Sequence, residues 1–244
     1  MGFKIIGSRI TFATPVRIRQ IKYFSMNWFF KFLSSSIGKK FVMGATGLFL
    51  ISFLVVHGAI NACIYYNDEG ATFESLAHFM GTNMIVHILE VGLFAGIFLH
   101  IIQAYVLFAQ NSKKRPVKYA VNGSSKNTRW YSRSMTLLGT LILIFLIIHI
   151  RNFWIPNRLT GLESTLFNEM KETFQQLWLV IFYELAMISL AYHLMHGFQS
   201  AFQTFGIHHS KYNPLIRGFG MGFSIFVPLV FASMPLAFYF HWIQ

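Results

Sequence analysis

The stretch LILIFLIIHIRNFW, residues 141–154, decides the fold class. Its first eight residues are all apolar, and a histidine follows them directly at position 149. The stretch belongs to one of five long apolar windows, at residues 38–66, 84–109, 134–155, 175–205 and 218–242. Each window exceeds the ~20 residues that a helix needs to cross the hydrocarbon core of a bilayer. We therefore predict an all-α, polytopic membrane protein with five transmembrane helices.

The overall composition supports this fold class. Of the 244 residues, 55% are hydrophobic and only 11% are charged, whereas a soluble domain carries roughly 25% charged residues. We divide the chain into a basic N-terminal segment, residues 1–37, and a single transmembrane domain, residues 38–244. Residues 1–32 lack a continuous apolar core and a cleavage site, so we expect an amphipathic segment on the membrane surface or on a partner rather than a signal peptide.

The net charge of +12 would suit a nucleic-acid-binding protein, but its distribution along the chain does not. Eight Lys or Arg residues lie in residues 1–40, seven in residues 113–133, and two more at Lys211 and Arg217. The acidic residues outside the apolar windows lie in the other two connections: Asp68, Glu69, Glu74, Glu163, Glu169 and Glu172. This segregation is the positive-inside pattern. It predicts a cytoplasmic N-terminus, cytoplasmic loops at 111–133 and 206–217, and an external C-terminus.

Five histidines lie deep inside the predicted spans: His57, His100, His149, His193 and His196. Ionisable side chains at such depth are costly and usually face a bundle interior or a cofactor. At ~1.5 Å per residue, His57 and His149 fall towards the external face, and His100 and His193 towards the cytoplasmic face. Four consecutive spans thus each carry one deep histidine, at alternating levels.

Two histidines facing each other across a four-helix bundle are what a bis-histidine b-type haem requires. We therefore predict two b-type haems, with His57 and His149 as the axial ligands of the outer one and His100 and His193 as those of the inner one. A single buried histidine is more simply explained by an interhelical hydrogen bond, but four at matched depths are not. Spacing alone leaves His196 open as an alternative to His193 or as a contact for a haem propionate. The single cysteine, Cys63, excludes both an internal disulfide and covalent c-type attachment.

Five stretches carry a recognisable pattern, four of them around the deep histidines: FLVVHGAIN (53–61), FESLAHFM (73–80), LEVGLFAGIFLHIIQAY (89–105), FLIIHIRNFW (145–154) and AYHLMHGFQSAFQTFGI (191–207). They resemble the cytochrome b subunit of succinate dehydrogenase or fumarate reductase, in the single-polypeptide, five-helix, dihaem class. The resemblance covers roughly residues 38–240. It places the fourth ligand on His193 rather than His196, and it implies the same pairing of the first span with the third and the second with the fourth.

The resemblance also implies a function and partners. The chain would anchor a flavoprotein subunit with FAD and an iron–sulfur subunit to the bacterial cytoplasmic membrane. It would pass electrons between the iron–sulfur subunit and menaquinone, near the outer haem. The succinate or fumarate site would then lie on a partner. The physiological direction, the quinone species and the oligomeric state of the complex stay open.

Some residues depart from the family pattern. A glutamate that precedes the fourth ligand by two residues in some fumarate reductases is Ala191 here, and an acid that follows AHFM in some succinate-oxidising members is Gly81. The remaining candidates for quinone protonation are Glu74, His78 and Glu90. The candidates for propionate contacts on the inner side, besides His196, are Lys39, Lys40, Arg129, Arg133 and Lys211.

Two other functions also fit parts of the sequence. A dihaem b subunit of a hydrogenase, formate dehydrogenase or nitrate reductase would share the histidine ligation but not the AHFM and HGFQSAFQTFGI stretches. A transporter or proton channel could also use membrane histidines, and it would be colourless when purified. Bound flavin and succinate-dependent haem reduction would distinguish a succinate dehydrogenase or fumarate reductase subunit from both of these alternatives.

Overall fold

A computed structural model describes residues 24–113, 129–161, 164–207 and 209–243, and this part of the chain is helical without a strand. The helices are α1 (Phe24–Ser34), α2 (Ser36–Asn61), α3 (Ala71–Thr82), α4 (Met84–Lys113), α5 (Trp130–Arg133), α6 (Met135–His149), α7 (Leu166–Thr173), α8 (Leu177–Thr204) and α9 (Asn213–Tyr239). A 3₁₀ turn, Ala62–Tyr66, extends α2, and two π-helical turns, Ile150–Trp154 and Pro156–Thr160, extend α6. The predicted basic segment lies mostly outside the described residues.

Five of these helices are long and apolar enough to cross a membrane, which confirms the five spans predicted from the apolar windows. We call them spans 1 to 5; they are α2, α4, α6 with its π-helical extension, α8 and α9. Their ends differ from the windows because polar residues continue the helices. Span 2 runs on to Lys113, span 3 continues to Thr160, and span 5 begins at Asn213. Pro214 lies in the first turn of span 5, where its fixed φ angle suits a helix start.

Span 4 lies at the centre of the helix packing. It packs against spans 1, 3 and 5, while span 1 also packs against span 2, and spans 2 and 3 touch only briefly. In its most apolar window 39% of the residues are buried, as in span 5, compared with 6% in spans 1, 2 and 3. The first three spans therefore leave most of their apolar side chains without protein cover.

The two ends of the helix group differ in charge. The ring of Phe41, at the start of span 1, contacts that of Phe205, just after span 4, with ring centres 5.0 Å apart. The start of span 3 reaches the same end, where Ser132 Oγ lies 2.9 Å from His196 Nδ1. We call this end the basic end, because the described Lys and Arg residues that flank the spans there are Lys39, Lys40, Lys113, Arg129, Arg133, Lys211 and Arg217.

The opposite, acidic end is closed by two short helices. They are α3 and α7, one in each of the acidic connections. The Glu74 carboxylate in α3 accepts a hydrogen bond from the Phe167 backbone N–H at the start of α7, at 2.5 Å. Beneath these helices lies the main buried cluster, which includes Ile64, Phe73, Phe167, Phe174, Tyr183, Phe238 and Ile243.

Candidate functional site

The first histidine pair lies nearer the acidic end and joins span 1 to span 3. The rings of His57 and His149 are 5.9 Å apart between centres and nearly perpendicular, at 89°. An aromatic ring one turn earlier in each helix stacks on each imidazole: Phe53 on His57 at 5.1 Å and Phe145 on His149 at 5.4 Å. Tyr183 brings its hydroxyl to 3.4 Å from His149 Nδ1. These contacts hold both imidazoles facing each other.

The second pair lies nearer the basic end and joins span 2 to span 4. The rings of His100 and His193 are 6.2 Å apart between centres, at an angle of 65°. Thr46 Oγ1 lies 3.1 Å from His100 Nδ1, and the hydroxyl proton is directed to the Val42 carbonyl oxygen at 2.8 Å. With the Thr46 hydroxyl as donor to Val42, His100 Nδ1–H donates to Thr46 Oγ1, and this tautomer leaves Nε2 with a free lone pair.

The ring separations match those of two imidazoles bound to one metal ion from opposite sides. A metal–nitrogen bond of about 2 Å, plus about 1.1 Å from the nitrogen to the ring centre, gives about 6 Å between the two ring centres. Within the described residues, the Nε2 atoms of the four histidines form no hydrogen bond. His193 Nδ1 is also buried without a partner there. Each pair thus offers two uncommitted ring nitrogens.

The two pairs occupy different levels of the helix group. On span 1, Thr46 contacts the second pair and His57 belongs to the first, and the eleven residues between them correspond to about 16 Å along the helix axis. On span 3, Gly139 lies beside His193 and His149 belongs to the first pair, ten residues or about 15 Å further on. Span 1 and span 3 therefore give nearly the same axial separation between the two histidine pairs.

Glycine backbone borders the second pair. Added Cβ atoms at Gly47 and Gly139 would lie 3.6 Å from His100 Cε1 and 3.7 Å from His193 Cε1, so both glycines bring bare backbone against the imidazoles. All four histidines are only partly buried although they face one another. Facing imidazoles, free Nε2 atoms and adjacent glycine backbone fit non-covalent, bis-histidine b-type haem.

His196 differs from His193 in its hydrogen bonding. Its Nδ1 lies 2.9 Å from Ser132 Oγ and its Nε2 lies 3.1 Å from Ser200 Oγ. Both ring nitrogens are therefore engaged by hydroxyl groups, whereas those of His193 are not. This hydrogen bonding favours His193 over His196 as the residue available to a ligand, and the choice stays a prediction.

A cluster of polar side chains lies towards the acidic end, between spans 2 and 3. Glu90 forms an ion pair with Arg158, with 2.9 Å between Oε2 and Nη2, and its other carboxylate oxygen accepts a hydrogen bond from Trp154 Nε1. Arg158 also donates to the Gly81 carbonyl oxygen at 2.7 Å, and His87 Nε2 lies 2.9 Å from the same oxygen.

His87, Glu90, Trp154 and Arg158 line a cavity of about 330 Å³ together with the apolar side chains of Val91 and Phe94. Only Glu90 among them was a candidate named from the sequence. Arg158 lies beyond the third predicted window, which ended at residue 155, but the helix of span 3 continues past Pro156 in π-helical turns to Thr160. Pro156 cannot donate the usual backbone hydrogen bond to residue 152, which favours a wider turn.

The other candidates lie apart from both pairs. Glu74 caps α7, and His78 is an exposed side chain on α3. At the basic end, Lys39 and Lys40 precede Thr46 by about two helical turns, Lys211 lies over the Tyr212 ring at 5.7 Å, and Arg133 ends α5. Arg129 is the candidate that shares a cavity with His196.

Comparisons of this chain with protein-family models, with curated proteins and with solved structures found no match in any of the three.

Proposed function

We propose that this chain is the dihaem cytochrome b membrane-anchor subunit of a succinate:menaquinone oxidoreductase or of a quinol:fumarate reductase. The observation that carries the proposal is the presence of two facing imidazole pairs, 5.9 and 6.2 Å between ring centres, at two levels of a chain with five spanning helices. The sequence resemblance to that family supplies the identity of the complex.

The four histidines would each hold an axial position: His57 and His149 at one level, and His100 and His193 at the other. Two b-type haems bound there would supply one-electron transfer between the two sides of the membrane. The protein residues fix the ligands before binding. Thr46 orients His100 through Nδ1, and aromatic rings restrict the other pair, which is the usual role of residues behind metal-bound histidines.

The cavity around Glu90 is the proposed menaquinone site. A quinone head group needs hydrogen-bond donors for its carbonyl oxygens and an apolar wall for its ring. Arg158 offers the donors, because its guanidinium carries N–H groups beyond those bound to Glu90 and Gly81, and Val91 and Phe94 offer the wall. Glu90 would relay protons to the reduced carbonyl oxygen, by taking up a proton from the acidic end and passing it on as a positioned general acid. Of the three candidates named from the sequence, Glu90 is the one we retain for this role.

The proposed orientation places the basic end in the cytoplasm, together with the N-terminus, in the bacterial cytoplasmic membrane. The separation of basic and acidic residues to opposite ends supports this orientation. The iron–sulfur subunit, with the flavoprotein subunit bound to it, would then dock at the basic end, close to the level of His100 and His193.

The test is the haem content of histidine variants of the purified protein. The wild-type protein should contain two haems per chain, and both should be reduced by succinate when the complete complex is purified. His149→Leu and His193→Leu should each contain one haem per chain. His196→Gln is the matched control and should retain two, because both of its ring nitrogens contact serine hydroxyls.

Two results would contradict the proposal. A purified protein without b-type absorption bands would favour a transporter or channel. Two haems that are reduced by hydrogen or formate but not by succinate would identify a different quinone-linked dehydrogenase.

A further inference from the structure

A separate cavity of about 360 Å³ lies at the basic end, between α5, the beginning of span 5 and the last turns of span 4. Its walls carry polar and apolar side chains from α5 and the residue before it, from span 4 and from span 5. They are Arg129, Tyr131, Ser132, Met195, His196, Gln199, Arg217 and Met221. None of these wall residues is acidic, so the charged groups at the cavity are two guanidinium groups.

The two arginines are available to an anion. Arg129 donates to the Tyr131 hydroxyl oxygen at 2.7 Å, a neutral partner that leaves its charge uncompensated. In the described part of the chain the ion pair is that of Glu90 with Arg158, at the other end, so neither Arg129 nor Arg217 has a carboxylate partner there. Both side chains are exposed at the mouth of the cavity. A guanidinium group can bind a phosphate through two parallel hydrogen bonds.

The other walls indicate what carries the anion. Met195 and Met221 provide apolar surface beside the arginines, so the cavity suits a molecule with an anionic group attached to an apolar part. Span 5, which supplies Arg217 and Met221, packs on span 4 and carries none of the four facing histidines. The exposed arginines show that the cavity opens at the surface of the helix group, at its basic end. Basic pockets between transmembrane helices at the cytoplasmic side commonly hold anionic lipid head groups.

We propose that this cavity binds the phosphate of an anionic phospholipid, with Arg129 and Arg217 on the phosphate and the two methionines against the glycerol and upper acyl chain. The proposal requires that the protein lies in a membrane, and it assigns Arg129, one of the candidates for a propionate contact, to a lipid instead. A lipid bound there would join α5, span 4 and span 5 beside His196.

The experiment measures lipid binding by native mass spectrometry of the full-length protein in detergent, after removal of lipid. The probes are phosphatidylglycerol and phosphatidylcholine with the same acyl chains. We expect one phosphatidylglycerol to bind at least fivefold more tightly than phosphatidylcholine, and each arginine to contribute about five- to tenfold in affinity. The Arg129→Gln/Arg217→Gln variant should lose the preference. Lys113→Gln removes a charge from the same end outside the cavity and should keep it.

Further experiments distinguish the possible sources of the anion and control for misfolding of the variants. Inorganic phosphate at the concentration of the lipid should not displace it; displacement would show a small-anion site and overturn the proposal. If the double variant does not fold, the single Arg217→Gln variant decides in its place. Met221→Phe fills the apolar part without removing a charge and should also weaken binding. Equal affinity for both lipids in the wild-type protein, or an unchanged preference without the arginines, would refute the proposal.

Discussion

Breaking the ion pair between Glu90 and Arg158 is expected to destabilise the protein by about 1–3 kcal/mol. The two side chains are 2.9 Å apart and retain only 19% and 20% of their exposure. Exposed ion pairs contribute about 0.2–1 kcal/mol, and removal of one partner from a fully buried pair costs about 3–5 kcal/mol. A pair that is four-fifths buried lies between these limits, because partial solvation of the remaining charge offsets some of the loss.

The assay is thermal unfolding in detergent, followed by circular dichroism, on Glu90→Gln, Arg158→Gln and the double variant. For a chain of this size 1 kcal/mol corresponds to about 3 °C in Tm, so each single variant should unfold about 3–9 °C below the wild-type protein. The decrease in Tm of the double variant should be well below the sum of the two single decreases, because the second substitution removes the charge that the first left unpaired. Arg151→Gln is the matched control, since Arg151 lies in the same π-helical segment with an exposed side chain.

Additive losses in the two single variants, or a loss for Arg151→Gln as large as that for Arg158→Gln, would refute this reasoning. The same variants also test the proposed quinone site. Glu90→Gln should keep the hydrogen bond from Trp154, because an amide oxygen also accepts, but should slow quinone reduction by removing the ionisable group.

Two further predictions concern packing and pH. Gly220→Ala should lower stability by about 1–3 kcal/mol, because its Cβ would lie 2.5 Å from Cδ1 of the buried Phe198 ring. Gly222→Ala, with nothing within 4 Å of the added Cβ, should be neutral or slightly stabilising by thermal unfolding. Hydrogen bonds from the Thr72 hydroxyl and then from its backbone N–H lower the pKa of the Asp68 carboxyl below its ordinary value of 3.8. The stability that Asp68 contributes is therefore complete above pH 3.8, so the Tm difference between the wild-type protein and Asp68→Asn should disappear as the pH falls below the lowered pKa.

The five spans could be predicted from the sequence because the bilayer imposes a minimum length of apolar helix. The level of each deep histidine could also be predicted, since a helix rises by a fixed distance per residue. This is why the pairs His57 with His149 and His100 with His193 could be named before their rings were seen to face each other. Their role as haem ligands stays a prediction.

The cavity around Glu90 could not be predicted in full because it depends on rotation about the helix axes. The third predicted window ended at residue 155, just before Pro156, whereas wider turns carry the helix past it and bring Arg158 to Glu90. The hydrogen bonds of His196 could not be predicted for a similar reason. Its partner Ser132 lies 64 residues away and reaches it only through the packing of spans 3 and 4.

The π-helical turns after His149 change the angular position, about the axis of span 3, of the residues that follow them. In a regular α-helix each residue turns the chain by about 100°, and an added residue within a π turn is accommodated without extending the helix by a full step. If the same residues wound as a regular α-helix, the extra residue would no longer be absorbed, and Trp154 and Arg158 would rotate away from span 2 while His149 kept its place. A change in the winding of the helix after residue 149 can thus alter or abolish the cavity at the acidic end without moving the histidine pair, so the two sites on this helix are free to diverge separately.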